Sequence, residues 1–466
     1  MNLNNMLPKE NIEYLGLVAV FLLHGLCLHY FGGQIGDDSY IFFRYAANLI
    51  HQGSLSWNIG TVPVEGFSSP LWVFLLAGMA PLMDIVLASK YLGVIFSMLS
   101  LFRVWQLSEK NVLSVLGACL GMGFQYWSIS GLETSLYCFL LLSSTLAIRG
   151  QVTVIWIALL GLVRPETPLL LLVAVGVLFR KQRNWKHLLL LVPTFLYLGF
   201  RVWYFGELLP NTYFAKATGA PIIQLIRGLQ YSLPALFASF FLWKNEVLER
   251  SEMLLPVLLL GIVIGGGGDW MWHGRLLVPI YLVLWGWNGL FSGIRRIGML
   301  LFLFSTSIPL RHWGDILKGN QLSMIEYQEG TLVESTRVMA QDIKKHVPKG
   351  AKIAINHAGA LPYFLLDYSF VDMTGLNDHW IARQKGELHE KFDSGYILEQ
   401  KPDLIVMNTL SNPREGFVAN YWEGETDLFD NPRFKQEYVP VAKSWKRRRY
   451  LGAPAFIVLF ARNDKN

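Results

Sequence analysis

Charged side chains are scarce in the first two thirds of this 466-residue chain, in which 16% of all residues are charged and 53% are hydrophobic. Residues 1–310 contain 33 Lys, Arg, Asp and Glu residues, whereas the last 156 residues contain 41. A soluble protein has roughly 25% charged residues. The shortage excludes a cytosolic enzyme and a disordered protein. The composition instead predicts a membrane domain over residues 1–310 and a soluble domain over residues 311–466.

Cysteine is also rare. The three cysteines, Cys27, Cys119 and Cys138, all lie in apolar stretches, which excludes a secreted disulfide scaffold. The net charge of +6 comes largely from short basic clusters beside apolar runs, a pattern typical of membrane proteins and not of nucleic-acid binding. No glycine-rich nucleotide loop follows any predicted strand, so a dinucleotide-binding domain is not expected.

The long apolar runs predict about eleven membrane spans, because a helix needs about 20 apolar residues to cross a bilayer. We place them near residues 14–31, 89–107, 113–129, 132–148, 186–205, 224–243, 253–267, 276–293 and 296–309, with two short spans within 152–180. The segment 70–87 either crosses the membrane or lies in its interface.

The basic clusters at 180–186, 244–250 and 295–296 predict the cytoplasmic side, since cytoplasmic loops are rich in Lys and Arg. This threading requires that 70–87 does not cross fully. It places the remaining polar loops and the tail on the opposite face, which is the periplasm for a bacterial inner membrane.

The tail has the pattern of an α/β domain. Short apolar runs at 352–356, 369–372 and 403–407 predict buried strands, and 456–460 predicts a last strand. A helical pattern over 324–346 precedes the first strand.

Two adjacent carboxylates, Asp37 and Asp38, follow the first predicted span and are the first candidates for catalysis. Charge at a membrane surface is costly unless it is solvated or used. The alternative is that they are acidic residues at the N-terminus of an exposed helix, a position that acids favour.

More polar residues occur in the loops predicted for the same face. These candidate binding residues are Arg44, Glu65, Glu133, Arg164, Glu166, Asn211, Lys216, Asp269, His273 and Arg275, together with Asn377 and Asp378 of the tail. Three alternatives remain open: Arg164 and Glu166 pair with each other, His273 anchors the chain in the membrane interface, and Asn377 and Asp378 cap the following helix.

Several motifs in order carry a resemblance to the GT-C class of membrane glycosyltransferases. They are Asp37-Asp38-Ser39-Tyr40-Ile41-Phe42-Phe43-Arg44-Tyr45-Ala46, Trp57-Asn58, Val64-Glu65-Gly66-Phe67-Ser68-Ser69-Pro70-Leu71-Trp72, Gly131-Leu132-Glu133-Thr134, Arg164-Pro165-Glu166, Leu209-Pro210-Asn211-Thr212, Gly268-Asp269 and Gly375-Leu376-Asn377-Asp378. The sequence is most similar to the branch that contains the mycobacterial terminal arabinofuranosyltransferase.

The resemblance implies a polytopic helical fold and a polyprenyl-phosphate sugar donor. It also implies transfer of an arabinofuranosyl or another pentose or hexose to a cell-envelope glycan or lipid. In that reading Asp37 or Asp38 is the base or nucleophile, the glutamates bind sugar hydroxyls, and Arg44, Arg164, Lys216 and Arg275 bind the phosphate. A divalent cation between carboxylates is compatible with the pattern, although no metal-ligand spacing requires one. The alternative function is a transporter or flippase of a lipid-linked sugar.

Overall fold

The computed structural model describes residues 9–31, 35–217, 220–240, 248, 250–269, 271–290, 321–386, 390–409, 423–450 and 453–463. The helices of the first part are α1 (Lys9–Phe31), α2 (Asp37–Gln52), α3 (Pro70–Met79), α4 (Ile85–Leu107), α5 (Val112–Cys119), α6 (Met122–Ile129), α7 (Thr134–Ile148), α8 (Ile155–Leu160), α9 (Thr167–Gln182), α10 (Val192–Phe205), α11 (Asn211–Lys216), α12 (Pro221–Phe240), α13 (Arg250–Gly265) and α14 (Val278–Asn288). Two 3-10 helices lie at Trp185–Leu191 and Trp272–Leu277.

The tail contains the helices α15 (Gln321–His346), α16 (Ala360–Phe364), α17 (His379–Ala382), α18 (Ser394–Glu399), α19 (Glu423–Asp430) and α20 (Pro432–Glu437). Its strands are β1 (Lys352–Ile355), β2 (Ser369–Asp372), β3 (Leu404–Thr409), β4 (Tyr438–Tyr450) and β5 (Ala453–Arg462).

Three helical segments of the described chain are long and apolar enough to cross a membrane: Asn11–His29, Ile85–Leu107 and Trp185–Phe205. The pair α5 and α6, bent by 65°, adds a fourth if it is one broken span. Most other predicted spans coincide with shorter helices, and the one predicted at 296–309 lies outside the described residues. Helix α3 has 10 residues, so it rises only about 15 Å. A straight helix of that length does not cross a hydrocarbon core of about 30 Å.

The chain divides into two compact units. Unit 1 comprises Met1–Gly32, Leu87–Gly199 and Ala220–Gln321, and unit 2 comprises Gly33–Val86, Phe200–Gly219 and Leu322–Asn466. The division therefore differs from a simple cut near residue 310. Unit 2 contains the tail together with the first polar loop and a later one, which are more than 100 residues away in sequence.

Helix α7 forms the centre of unit 1. Every residue from Thr134 to Ile148 is buried, and the helix packs against α8, α13 and α14. A helix that is apolar on all sides is typical of the interior of a large bundle.

The tail of unit 2 is built on a five-stranded sheet of order β2-β1-β3-β5-β4. Strand β1 pairs in parallel with β2 and β3, and β5 pairs antiparallel with β3 and β4. The strands predicted at 352–356, 369–372, 403–407 and 456–460 are confirmed. Strand β4 was not predicted, because its sequence contains Lys446-Arg447-Arg448-Arg449 and lies at the sheet edge, where charged residues are common.

Candidate functional site

Helix α2 begins at Asp37, as the acidic pair predicts. Both Asp37 and Asp38 are half-buried in the first turn, where the helix dipole favours carboxylates. The Asp37 Oδ1 atom accepts a hydrogen bond from the main-chain N–H of Ala360 at 2.8 Å, and Oδ2 accepts one from Gly359 at 3.2 Å. These two bonds hold the Asp37 carboxylate in one orientation against the turn that precedes α16.

The contact with Asp37 requires glycine at position 359, because there is no room for a side chain. A Cβ atom at this position would overlap the main-chain carbonyl oxygen of Asp37 and would lie 2.7 Å from its Oδ2 atom. The candidate catalytic carboxylate is thus oriented by a part of the tail that is about 320 residues away in sequence.

Arg44 lies on the same helix and is fully buried. Its Nε donates to the carbonyl of Trp57 at 2.6 Å, Nη1 donates to the carbonyls of Pro362 and Leu365 (3.2 Å to the second), and Nη2 donates to the carbonyl of Tyr368 at 2.9 Å. Burial lowers the pKa of the guanidinium. Arg44 was predicted to bind the donor phosphate, but here its guanidinium holds residues 362–368 against α2.

Tyr45, next to Arg44, connects two of the sequence motifs. Its hydroxyl accepts a hydrogen bond from the main-chain N–H of Gly66 at 2.9 Å and donates to the carbonyl of Val64 at 2.5 Å. The Oδ1 atom of Asn377 lies 3.1 Å from the same hydroxyl. The motifs at 64–70 and 375–378 are therefore adjacent in unit 2.

Asp372, the last residue of β2, organises the loop that contains Asn377. Its Oδ1 accepts hydrogen bonds from the main-chain N–H and the hydroxyl of Thr374, at 2.9 and 2.6 Å. Its Oδ2 accepts two from Asn377, at 2.8 and 3.0 Å. Burial raises the pKa of Asp372. The sequence did not single out this residue, because an acid at the end of a strand resembles a common turn residue.

Asn211, the first residue of α11, joins the same loop. Its side-chain amide donates to the carbonyls of Gly375 at 2.8 Å and Leu376 at 3.0 Å, while its main-chain N–H donates to the carbonyl of Glu65 at 2.9 Å. Unit 2 thus brings together Glu65, Asn211 and Asn377, which are candidates from three separate motifs.

Glu65 forms a buried ion pair with Arg201, at 2.6 Å between Oε2 and Nε. The side chains are 2% and 6% exposed. Arg201 also donates to the carbonyl of Leu208 at 3.1 Å. Sequence reasoning missed Arg201 because it lies in an apolar run that predicts a span.

Asp378 caps α17, so the cap alternative is confirmed for this residue. Its Oδ1 accepts from the main-chain N–H groups of Trp380 and Ile381, at 2.9 and 3.0 Å, and its Oδ2 accepts from the hydroxyl of Tyr396 at 2.9 Å. Lys216 lies at the exposed end of α11.

The remaining candidates lie in unit 1. Arg164 contacts Glu133 and Glu166, each at 2.6 Å. The alternative that Arg164 and Glu166 pair with each other is therefore confirmed, and Glu133 joins the pair. The three side chains are 12%, 1% and 15% exposed. The cluster brings together two motifs that are about 30 residues apart and carries one net negative charge.

A second charged pair in unit 1 joins Asp269 to Arg275, at 2.8 Å between Oδ2 and Nε. The Arg275 guanidinium lies over the ring of Trp127, 5.5 Å from its centroid. His273 is buried against Tyr126, with ring centroids 5.3 Å apart, and its φ of 56° is left-handed. This burial does not match an exposed interfacial anchor.

Within the described part of the chain, no group of three or more His, Cys, Asp or Glu side chains is arranged to hold a metal ion. The polar clusters of both units consist mainly of charged groups paired with each other or with main-chain atoms.

Residues 321–458 match a family model described as a domain of unknown function, DUF8728. A comparison with curated proteins found no match. Among solved structures, the chain is similar to the crystal structure of ArnT from Cupriavidus metallidurans bound to undecaprenyl phosphate. The TM-score is 0.49 at 12% sequence identity, over 97% of this chain and 98% of that chain.

Proposed function

We propose that this protein is a GT-C type membrane glycosyltransferase. It transfers a sugar from a polyprenyl-phosphate donor to a glycan or lipid of the cell envelope, on the periplasmic side of the inner membrane. The arabinofuranosyl group is the first candidate for the sugar, because the ordered motifs are most similar to the arabinofuranosyltransferase branch.

The observation that carries the proposal is the orientation of the Asp37 carboxylate. It stands beside Asp38 at the start of α2 and is held by the main-chain N–H groups of Gly359 and Ala360. Catalysis needs a reacting group held in advance in a productive orientation. A carboxylate that only capped its own helix would not need donors from a distant segment.

The proposed reaction balances with one carboxylate. Asp37 or Asp38 takes the proton from an acceptor hydroxyl while the acceptor oxygen bonds to the anomeric carbon of the sugar. The bond between that carbon and the phosphate oxygen breaks, and its electron pair leaves with the polyprenyl phosphate. Positive charge that develops on the sugar ring is stabilised by the neighbouring carboxylate.

The leaving phosphate needs a cation, and among the four predicted phosphate ligands Lys216 is the exposed one. Arg44, Arg164 and Arg275 are buried or nearly buried. We therefore assign Lys216 to the donor phosphate. Lys216→Ala should raise the KM for the donor with little change in kcat, whereas Lys385→Ala, at another exposed lysine, should change neither value.

The donor class is tested with purified protein in vesicles that contain polyprenyl-phosphate arabinofuranose, mannose or glucose and a cell-envelope lipid extract. We expect labelled sugar to be transferred from at least one of these donors and not from nucleotide sugars. Efficient transfer from a nucleotide sugar contradicts the proposal. Movement of the labelled lipid across the bilayer without any transfer would instead establish the transporter alternative.

The catalytic assignment is tested with Asp37→Asn and Asp38→Asn. At least one of them should lower turnover by about 10²-fold or more, because the lost group acts chiefly in the transition state. Asp367→Asn is the control, since Asp367 is an exposed tail acid paired with Lys349. If both variants fold and keep near-normal turnover, the acidic pair is not catalytic.

A further inference from the structure

Trp380, on the short helix α17, is a large aromatic residue held rigidly at the surface of unit 2. It is 53% exposed. Its indole N–H donates to Asp393 Oδ2 at 2.8 Å, and its ring stacks on that of Tyr396, with centroids 5.8 Å apart and an interplanar angle of 27°. Although Tyr396 stacks on the indole, about half of the Trp380 side chain remains exposed to solvent.

Two acids brace this pair reciprocally. Asp378 caps the helix of Trp380 and accepts a hydrogen bond from the Tyr396 hydroxyl at 2.9 Å. Asp393 caps the helix of Tyr396, accepting from its main-chain N–H at 2.9 Å, and also accepts from the indole of Trp380. Each acid therefore fixes the main chain of one aromatic residue and the side chain of the other.

The tail does not need Trp380 for its core. The next residues on the two helices, Ile381 and Ile397, are 0% and 1% exposed and belong to the hydrophobic core of the sheet. They anchor α17 and α18 by apolar burial. A tryptophan beside such an anchor could remain mobile, yet here its position is fixed, which is the preorganisation that lowers the entropic cost of binding.

Polar side chains that are planar and partly exposed lie within one helical turn of Trp380 in the sequence, or pair with one that does. Arg383, one turn after Trp380, pairs with Glu207 at 2.5 Å, and the two side chains are 37% and 36% exposed. Burial, followed by the charge of Arg383, lowers the pKa of His379. A neutral imidazole, a guanidinium and a carboxylate can together donate to and accept from neutral hydroxyl groups.

The charge balance around the rings indicates which ligand fits. Single-stranded nucleic acids need a positively charged groove beside the stacking rings, and membrane-surface helices carry Lys and Arg. Here the two charged groups that are hydrogen-bonded to the ring substituents are acids, Asp378 and Asp393. Arg383 is paired with Glu207, and Lys391 donates to the main-chain carbonyls of Ala382 and Phe214. A sugar ring has an apolar C–H face for stacking and hydroxyls at its edge for the polar groups.

We propose that the Trp380–Tyr396 stack, flanked by Arg383 and Glu207, is a binding subsite for a neutral carbohydrate and holds the acceptor glycan. As an acceptor subsite the proposal rests on the proposed transferase function. Binding of the glycan can nevertheless be measured without turnover.

The experiment uses the full chain in nanodiscs and three fluorescent hexasaccharides, an arabinan, a mannan and a glucan, with affinity measured by thermophoresis. We expect at least one to bind. Trp380→Ala should weaken that binding by about tenfold or more, as truncation of a central aromatic contact does. Trp380→Phe keeps an aromatic ring, so its affinity for the glycan should lie between those of the wild type and Trp380→Ala. This variant shows whether the loss in Trp380→Ala comes from a folding defect.

One control separates stacking from general effects. Tyr213→Ala removes an aromatic side chain that is also 53% exposed. This variant should bind the glycan within about threefold of the wild type. Melting temperatures of all variants show whether a loss of binding is a loss of folding.

Two results would overturn the proposal. Either none of the hexasaccharides binds to the wild type, which would leave the surface to a protein partner, or folded Trp380→Ala binds as tightly as the wild type. Wild-type protein that binds the glycan through Trp380 but transfers no sugar would refute the transferase and keep the subsite. An active Trp380→Ala enzyme with an unchanged KM for the acceptor would refute the subsite and keep the transferase.

Discussion

Replacing Arg44 by Met should release the tail segment 362–368 from α2. Arg44 is fully buried and donates to four main-chain carbonyls, three of which lie in this segment. It also stacks on Phe370, with the guanidinium carbon 4.9 Å from the ring centroid. Methionine keeps most of the apolar stem but can donate to none of the four carbonyls.

The destabilisation expected for Arg44→Met follows from two opposing contributions. A hydrogen bond that involves a charged group is worth about 1.5–3 kcal/mol, so four represent about 6–12 kcal/mol. The variant also no longer buries a charge, which offsets several kcal/mol of that loss. We expect a net destabilisation of about 3–5 kcal/mol, because the four buried carbonyls lose this donor.

Hydrogen exchange of the full-length protein measures this change locally. The main-chain N–H groups of Gly359 and Ala360 donate to Asp37 and should exchange about 10²- to 4 × 10³-fold faster in Arg44→Met, since each 1.4 kcal/mol corresponds to a factor of ten. Arg433→Met is the control. It removes an exposed pair with Glu437 on the same tail and should have little effect, as exposed ion pairs do.

The opposite result would restore the role that the motif pattern predicts for Arg44. If Arg44→Met keeps wild-type exchange and melting temperature but binds the polyprenyl-phosphate donor weakly, its guanidinium serves the phosphate. The structural role argued from the four carbonyl contacts would then be refuted.

Three more predictions concern other parts of the chain. Gly359→Ala should lower turnover by about tenfold or more while the melting temperature of unit 1 stays unchanged, because the new Cβ displaces Asp37. Unchanged turnover would mean that the orientation of the Asp37 carboxylate does not matter for catalysis. Arg164→Met should destabilise unit 1 by about 3–5 kcal/mol, because Glu133 and Glu166 lose their shared cation; adding Glu133→Gln should recover part of the melting temperature, and no recovery would show that charge repulsion is not the cause. A reporter fused to the C-terminus should be active only outside the cytoplasm; cytoplasmic activity would reverse the predicted threading.

The sheet of the tail was largely predictable from the sequence. Strands β1, β2 and β3 pair in parallel and most of their residues are buried, so each contains a short apolar run. Edge strand β4 escaped prediction because a strand with one exposed edge tolerates charges that hide its pattern. The start of α2 was predictable as well, since acids at Asp37 and Asp38 favour a helix N-terminus.

The partners of the charged residues were not predictable. The sequence shows that Glu65 and Arg44 are charged groups in an otherwise apolar part of the chain, and that each needs compensation if it is buried. It does not show whether the compensation is a ligand or the protein. In unit 2, Arg201 pairs with Glu65 from 136 residues away, and main-chain carbonyls more than 300 residues away accept hydrogen bonds from Arg44.

The sequence by itself therefore determined the class of the protein: an apolar helical part with several candidate spans, a separate α/β tail, and acidic and basic motifs in a characteristic order. These features depend on composition and short-range periodicity, which local sequence contains. The tertiary structure decided that the first polar loop, α11 and the tail belong to one compact unit, and that Asp37 is oriented by Gly359 and Ala360. Such contacts depend on which distant segments meet when apolar surface is buried, and no local pattern records that choice.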